Sequence, residues 1–129
     1  MLVYRSVLPE NLTEDSAREL VESNNWYHGG TFKHYPTAHF HSNTHECYAA
    51  LRGSTKCLYG VGPLDDGSDS VSFDMKAGDI AVHAAGVAHR NVRQSVDAPV
   101  YTVRVEFQPT RSHPFLLWIT LLSFLPVFC

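Results

Sequence analysis

The chain is short of the residues that would assign it to several common classes of protein. Its three cysteines, Cys47, Cys57 and Cys129, are an odd number with no Cys-x-x-Cys pair. That argues against a disulfide framework and leads to the expectation of a reducing, cytoplasmic compartment. Charged residues make up 18% of the chain, the formal net charge is -3 and there is no basic run, so no nucleic-acid partner is expected. Met1 to Arg5 hold no basic region followed by a long apolar stretch, and no signal peptide is expected. A Gly-rich phosphate loop, a serine nucleophile elbow and a paired-acid constellation are all missing. What remains is one domain of 129 residues, 44% hydrophobic, long enough to bury a core of its own.

Histidine, by contrast, is abundant. The chain has eight, five of them between His28 and His45. The densest stretch is His39-Phe40-His41-Ser42-Asn43-Thr44-His45-Glu46-Cys47-Tyr48-Ala49-Ala50-Leu51-Arg52-Gly53. In extended chain His39 and His41 point to the same face. Ser42 to His45 suit a tight reversal, after which Glu46 to Leu51 returns as a neighbouring antiparallel strand. Glu46 would then lie within cross-strand reach of the two imidazoles. Imidazole nitrogens and a carboxylate oxygen together suit a divalent first-row transition metal. A second stretch, Gly78-Asp79-Ile80-Ala81-Val82-His83-Ala84-Ala85-Gly86-Val87-Ala88-His89, reads as turn, strand, turn and histidine. If His89 folds back beside the first pair, the set becomes His39, His41, Glu46 and His89. The competing reading is a cluster of interior polar residues bonded to one another without metal.

Elsewhere the pattern is short strands with turn signals between them. Leu2 and Tyr4 alternate with Val3 and Arg5 in a first strand ending by Pro9. Asn11 with Glu14 resembles a capping box, and Leu12, Ala17, Leu20 and Val21 predict a helix from Thr13 to Ser23 on the outside of a sheet. Trp26 and Tyr27 start a strand that Gly29-Gly30 breaks, and Thr31 to Tyr35 begins another. Further strands are expected at 55–59, 71–75, 80–83, 92–95 and 100–107, with a polar loop at 60–70. Eight or more short strands and one helix suit an all-β, antiparallel double-sheet jelly-roll barrel.

The two histidine stretches together resemble the two motifs of the cupin superfamily. The first, His-x-His, four residues, Glu, six residues, Gly, matches at every fixed position from His39 to Gly53. In the second, Gly78, Gly86 and His89 match, while Ala84 stands where the family has proline and Arg93 where an asparagine is often found. The wording of both stretches is similar to the YjlB group of cupins, a family without a settled activity. The resemblance spans roughly residues 1 to 108 and implies an RmlC-like barrel with a mononuclear metal at His39, His41, Glu46 and His89. Iron, manganese or nickel would leave two open positions on an octahedral ion; zinc, the lesser candidate, would be closed by four ligands. The implied function is a metal-dependent enzyme, dioxygenase-like or isomerase-like, acting on a small polar molecule. The alternatives are a non-enzymatic metal- or ligand-binding or sensing module, and a truncated inactive product. The resemblance also implies an N-terminal segment before Met1 and pairing into a homodimer.

Residues around the site carry expectations too. Tyr48 and Ala50 share the face of Glu46 and belong inside the barrel; Cys47 faces the other way as an inert thiol. His45 is expected at a turn or the surface, with substitution for Glu46 as the alternative; His83 at the surface, with support of the metal ligands as the alternative; and His28 and His34 facing solvent on a hairpin, with the mouth of a pocket as the alternative. Asp79 is read as a turn residue. Residues 109–129 do not fit a cupin, and from Pro114 to Cys129 the chain is apolar on every side. A spanning helix needs about 20 apolar residues, and Pro126 interrupts this run, so no membrane partner is expected. Its phenylalanine, leucine, serine and proline are residues of pyrimidine-rich codons, which reads as translated intron sequence.

Overall fold

One strand is buried along nearly its whole length on both faces, and the fold follows from what covers each face. The computed structural model describes residues 1–24, 26–94 and 101–107, with 94 and 101–107 described by backbone alone. The elements are β1 (Leu2–Tyr4), α1 (Glu14–Glu22), β2 (Tyr27–Phe32), β3 (His45–Arg52), β4 (Ser54–Tyr59), β5 (Val71–Lys76), β6 (Ile80–His83), β7 (His89–Gln94) and β8 (Tyr101–Phe107). They form a five-stranded sheet in the order β1-β6-β3-β8-β2 and a three-stranded sheet in the order β5-β4-β7. Every pairing is antiparallel. This is the double-sheet, all-β architecture that the sequence pattern leads one to expect.

The doubly buried strand is β3. Its side chains alternate with period two, so one set meets the helix and the other meets the second sheet. Cys47, Ala49 and Leu51 pack with Ile80, Val82, Leu8, Trp26 and the helical residues Ala17 and Val21. Tyr48 and Ala50 pack with Ala81, Cys57, Tyr59 and Met75 in the space between the sheets. Glu46 belongs by alternation to this second, interior set. The same rule splits β6, with Ile80 and Val82 toward the helix and Ala81 inside. Strand β5 leaves the interior along its length: Met75 is fully buried, whereas Val71 is 55% exposed.

The helix lies outside the large sheet as expected, but its start is set by different residues. Thr13 is the N-cap, its hydroxyl accepting from the Ser16 N–H while the Ser16 hydroxyl accepts from the Thr13 N–H. Asn11, the expected cap, instead adopts a left-handed φ of 62° just before it. Glu14 and Asp15 in the first turn face the positive end of the helix dipole. The glycine pair does not break the second strand. It forms a bulge between His28 and Gly30 inside β2, where a Cβ on Gly30 would lie 2.8 Å from the Phe32 ring. The final two strands begin at His89 and Tyr101 instead of 92 and 100. Ala98-Pro99 and the tail from 109 lie outside the described residues. Among the described residues no helix is long and apolar enough to cross a membrane.

Asp79 does more than turn the chain. Its carboxylate, fully buried, accepts from the Ser6 N–H at 2.9 Å, the Lys76 N–H at 3.1 Å and the Arg5 guanidinium at 2.8 Å. It thereby ties the segment after β1 to the turn between β5 and β6. Asp79→Ala leaves the Ser6 and Lys76 amides and the Arg5 guanidinium without this acceptor and is expected to cost about 1–3 kcal/mol of stability. Urea unfolding of the purified variant checks this, and an unchanged midpoint would count against it.

Candidate metal centre

Three separate segments bring nitrogen and oxygen donors to one point between the sheets. Glu46 stands near the start of β3, facing inward and 1% exposed. His89 opens β7, also 1% exposed. His39 and His41 come from the segment before β3, with Phe40 between them turned outward and 60% exposed. That alternation is the one read from the His-x-His spacing. The ligand atoms of His39, His41, Glu46 and His89 all lie within 4.8 Å of one another.

The route by which Glu46 reaches the histidines differs from the expected hairpin. Residues 39–41 do not pair with β3. His39 instead bridges His89, with its N–H donating to the His89 carbonyl at 3.2 Å and the His89 N–H donating back at 2.9 Å. Strand β3 pairs with β6 and β8, which places Glu46 opposite His83 and Glu106. The histidine pair thus belongs with the smaller sheet, and the carboxylate meets it across the interior. Asn91 anchors the approach: its side-chain oxygen accepts from the Tyr35 N–H at 3.1 Å and its N–H donates to the Tyr35 carbonyl at 2.9 Å.

The turn after β6 is held without the family's proline at 84. The Gly86 N–H donates to the His41 carbonyl at 2.7 Å, and the Ala85 N–H donates to His45 Nδ1 at 3.1 Å. Gly86 takes a φ of 81°, which a residue with a Cβ rarely adopts. His45 is therefore neither a ligand nor a purely surface residue; it braces the loop that leads to His89.

Three imidazoles crowd a single carboxylate oxygen. Glu46 Oε2 lies 2.7 Å from His83 Nε2, 2.8 Å from His89 Nε2 and 3.5 Å from His41 Nε2. His39 Nδ1 lies 3.0 Å from the Thr37 carbonyl, and His89 Nδ1 lies 3.0 Å from the Val87 carbonyl. A carbonyl only accepts, so each Nδ1 carries the proton and, in the neutral ring, Nε2 presents its lone pair. At His89, where Nε2 lies 2.8 Å from Glu46 Oε2, such a lone pair facing a carboxylate is well served by a cation shared between the two. Imidazole nitrogens fixed by carbonyls, with one carboxylate, are the arrangement by which proteins hold a transition ion. Opposite ligands on such an ion are about 4 Å apart, given metal–nitrogen bonds of about 2 Å, so donors within 4.8 Å of one another need only a small inward shift to share one metal. The residues present fit the ion that the motifs imply.

His83 corrects an expectation. Its place at the end of a short strand predicts a surface side chain, whereas the structure leaves it 1% exposed and bonded to Glu46. A signal is present in the sequence: Ile80 and Val82 are apolar on one face of that strand, which turns His83 inward with Ala81. Of the two remaining histidines among the described residues, both half-buried, His28 Nε2 lies 3.5 Å from the Thr31 hydroxyl and neither joins the donor group. Cys47 is buried away from the site, and burial pushes its thiol far above the ordinary range, as expected of an inert side chain.

The electrostatics favour an ionised carboxylate and lower the basicity of His83 and His39. Burial alone would raise the Glu46 carboxyl, but contacts from the His83 and His89 imidazoles outweigh it and hold the group well below the usual carboxylate range. Burial pushes His83 down to about 4, against the partial offset of its bond to Glu46. Burial likewise lowers His39, less the effect of the Thr37 carbonyl. Between pH 6.5 and about 4 the unfolded chain binds a proton at His83 that the folded chain does not, and below 4.5 the same holds at Glu46. Protonation in both windows favours unfolding. The melting temperature of metal-free protein should be level above pH 6.5 and fall steadily below it. A flat profile down to pH 4.5 in thermal denaturation would contradict this.

Fold and site together make this a cupin-type protein: two antiparallel sheets with a His/His/Glu/His group between them. In sequence it is YjlB-like. It is 30% identical over 100 residues to the uncharacterized protein YjlB of Bacillus subtilis, an alignment covering 78% of this chain and 55% of that protein. The chain thus spans about half the length of the relative it matches. A crystal structure of a cupin protein from Bacteroides fragilis superposes with a TM-score of 0.46 at 18% identity, over 70% of this chain and 65% of that one. No family model matches the sequence.

Proposed function

We propose that His39, His41, Glu46 and His89 hold one divalent first-row transition ion, and that the chain is a metal-dependent enzyme acting on a small polar molecule. The observation that carries this reading is the meeting of ligand atoms from His39, His41, Glu46 and His89 within 4.8 Å of one another. A bound ion of this kind supplies Lewis acidity and a template for a ligand, or a site for dioxygen. Iron, manganese and nickel are favoured because four protein donors leave two positions open on an octahedral ion; four donors would close a tetrahedral zinc.

The remaining interior supports an enzyme more than a closed structural site. Thr55, His83 and Asn91 are buried polar residues in the same interior, and the hydroxyls of Tyr48 and Tyr59 join them. The Tyr48 hydroxyl lies 3.2 Å from His89 Nε2. Tyr59 is pushed well above the ordinary phenol range by burial and keeps its proton, so it serves as a donor and not as a base. A groove of about 800 Å³ with His39 in its wall, beside Phe40, Pro63, Asp65 and Val87, gives a small molecule an approach from one side.

Elemental analysis of purified protein beside His41→Ala tests the reading. A single transition ion per chain is expected in the wild type, largely lost in the variant. Equal metal in both samples would remove this ligand set. Oxygen uptake with small organic acids or diketones then separates dioxygenase chemistry from isomerase chemistry.

A further inference from the structure

A fourth histidine lies in the same interior, packed among the rings of the site. His83 ends β6, opposite Glu46 in the register of β3 and β6, and is 1% exposed. Its ring centre is 4.1 Å from that of His89 and 5.0 Å from that of Tyr48. Nε2 lies 2.7 Å from Glu46 Oε2, while Nδ1 is buried with no hydrogen-bond partner among the described residues. A buried polar edge that bonds nothing costs stability. The rest of β6 is Ile80, Ala81 and Val82, and an aliphatic side chain at 83 would close the same space without that cost. Sheet stability therefore does not account for an imidazole here. Its bond to Glu46 does.

We infer that His83 is a positioning residue for the metal centre, an inference that rests on the metal reading above. Unlike His89 Nδ1, which is held by the Val87 carbonyl, His83 Nδ1 faces no acceptor, so its Nε2 carries the proton and donates to the carboxylate, and the lone pair sits on Nδ1. A nitrogen that donates in this way is not a ligand. His83 instead fixes the rotation of the Glu46 carboxyl group, so that the anion is held ready for the ion before it arrives. The cost of the unbonded Nδ1 is offset by a centre that needs no rearrangement on loading. His83 lies outside the His39, His41, Glu46 and His89 pattern and adds a neutral donor to it.

The test uses the full chain stripped with EDTA and titrated with Co(II) against a competing chelator. His83→Met removes the donor at similar size, and His83→Gln returns an N–H that reaches toward Glu46. The expected result is affinity about 10–100-fold weaker in His83→Met, with a shifted Co(II) absorption band, and most of that loss recovered in His83→Gln. Co(II) bound as tightly by His83→Met as by wild type would overturn the role. Equal losses in both variants would also overturn it, in favour of direct ligation. A measurement on the wild type needs no variant to fold: nitrogen NMR of histidine-labelled, Zn(II)-loaded protein should show a protonated Nε2 at His83 beside unprotonated Nε2 atoms at His39 and His89. A metal-bound His83 nitrogen would overturn the inference. Should the wild type bind neither Co(II) nor Zn(II), the metal reading itself falls and this one with it, an outcome distinct from tight binding by every form.

Discussion

A carboxylate buried among imidazoles is the constraint to which the rest of the molecule answers. An isolated charge inside a protein is prohibitively costly, and Glu46 is accommodated between two sheets where imidazole nitrogens gather around it. His83 and His89 reach the same oxygen at hydrogen-bond distance. That demand explains why β3 must be buried on both faces. One face carries the small apolar side chains that seat the helix; the other carries Glu46, Tyr48 and Ala50 into the interior. Alternation along a single strand thus joins the stability of the outer layer to the chemistry of the inner one.

Precision at the centre comes from backbone contacts between segments distant in sequence. The Thr37 and Val87 carbonyls each take the proton of a histidine Nδ1, which settles where the lone pairs of His39 and His89 lie. The bridge between His39 and His89 keeps those two rings together, and the loop after β6 is braced by His45 and by the carbonyl of His41. The missing proline at 84 is compensated here, because two hydrogen bonds from consecutive amides restrict the loop that a ring would otherwise have stiffened. The histidines of the first stretch therefore divide the work. His39 and His41 present nitrogen to the interior, and His45 fastens the loop that delivers His89.

The interior is neither sealed nor apolar. Tyr48 and His83 lie against the donor group, Asn91 and Thr55 are buried further along the same interior, and His39 also borders the outside groove. A site meant only to fasten two sheets together would gain from aliphatic filling around it. Polar side chains at several positions, with a groove bordered by His39, are compatible with the binding of a small molecule.

Spacing in the chain determined much of this. The His-x-His repeat fixed which way two imidazoles turn, because extended chain alternates its side chains whatever it pairs with. The alternation in 46–51 and 80–83 fixed which residues face inward, and the turn signals between short strands gave the architecture. The sequence could not choose partners for those strands. Residues 39–41 look like the mate of β3 because they are near it in the chain, yet hydrogen bonds from β7 and the 84–88 loop claim them. The same limit hid His83, which pattern alone could turn inward but only packing could set against Glu46. Local alternation follows from backbone geometry within a few residues; which strand lies beside which depends on burying the whole apolar surface at once, and that is decided only when the chain has folded.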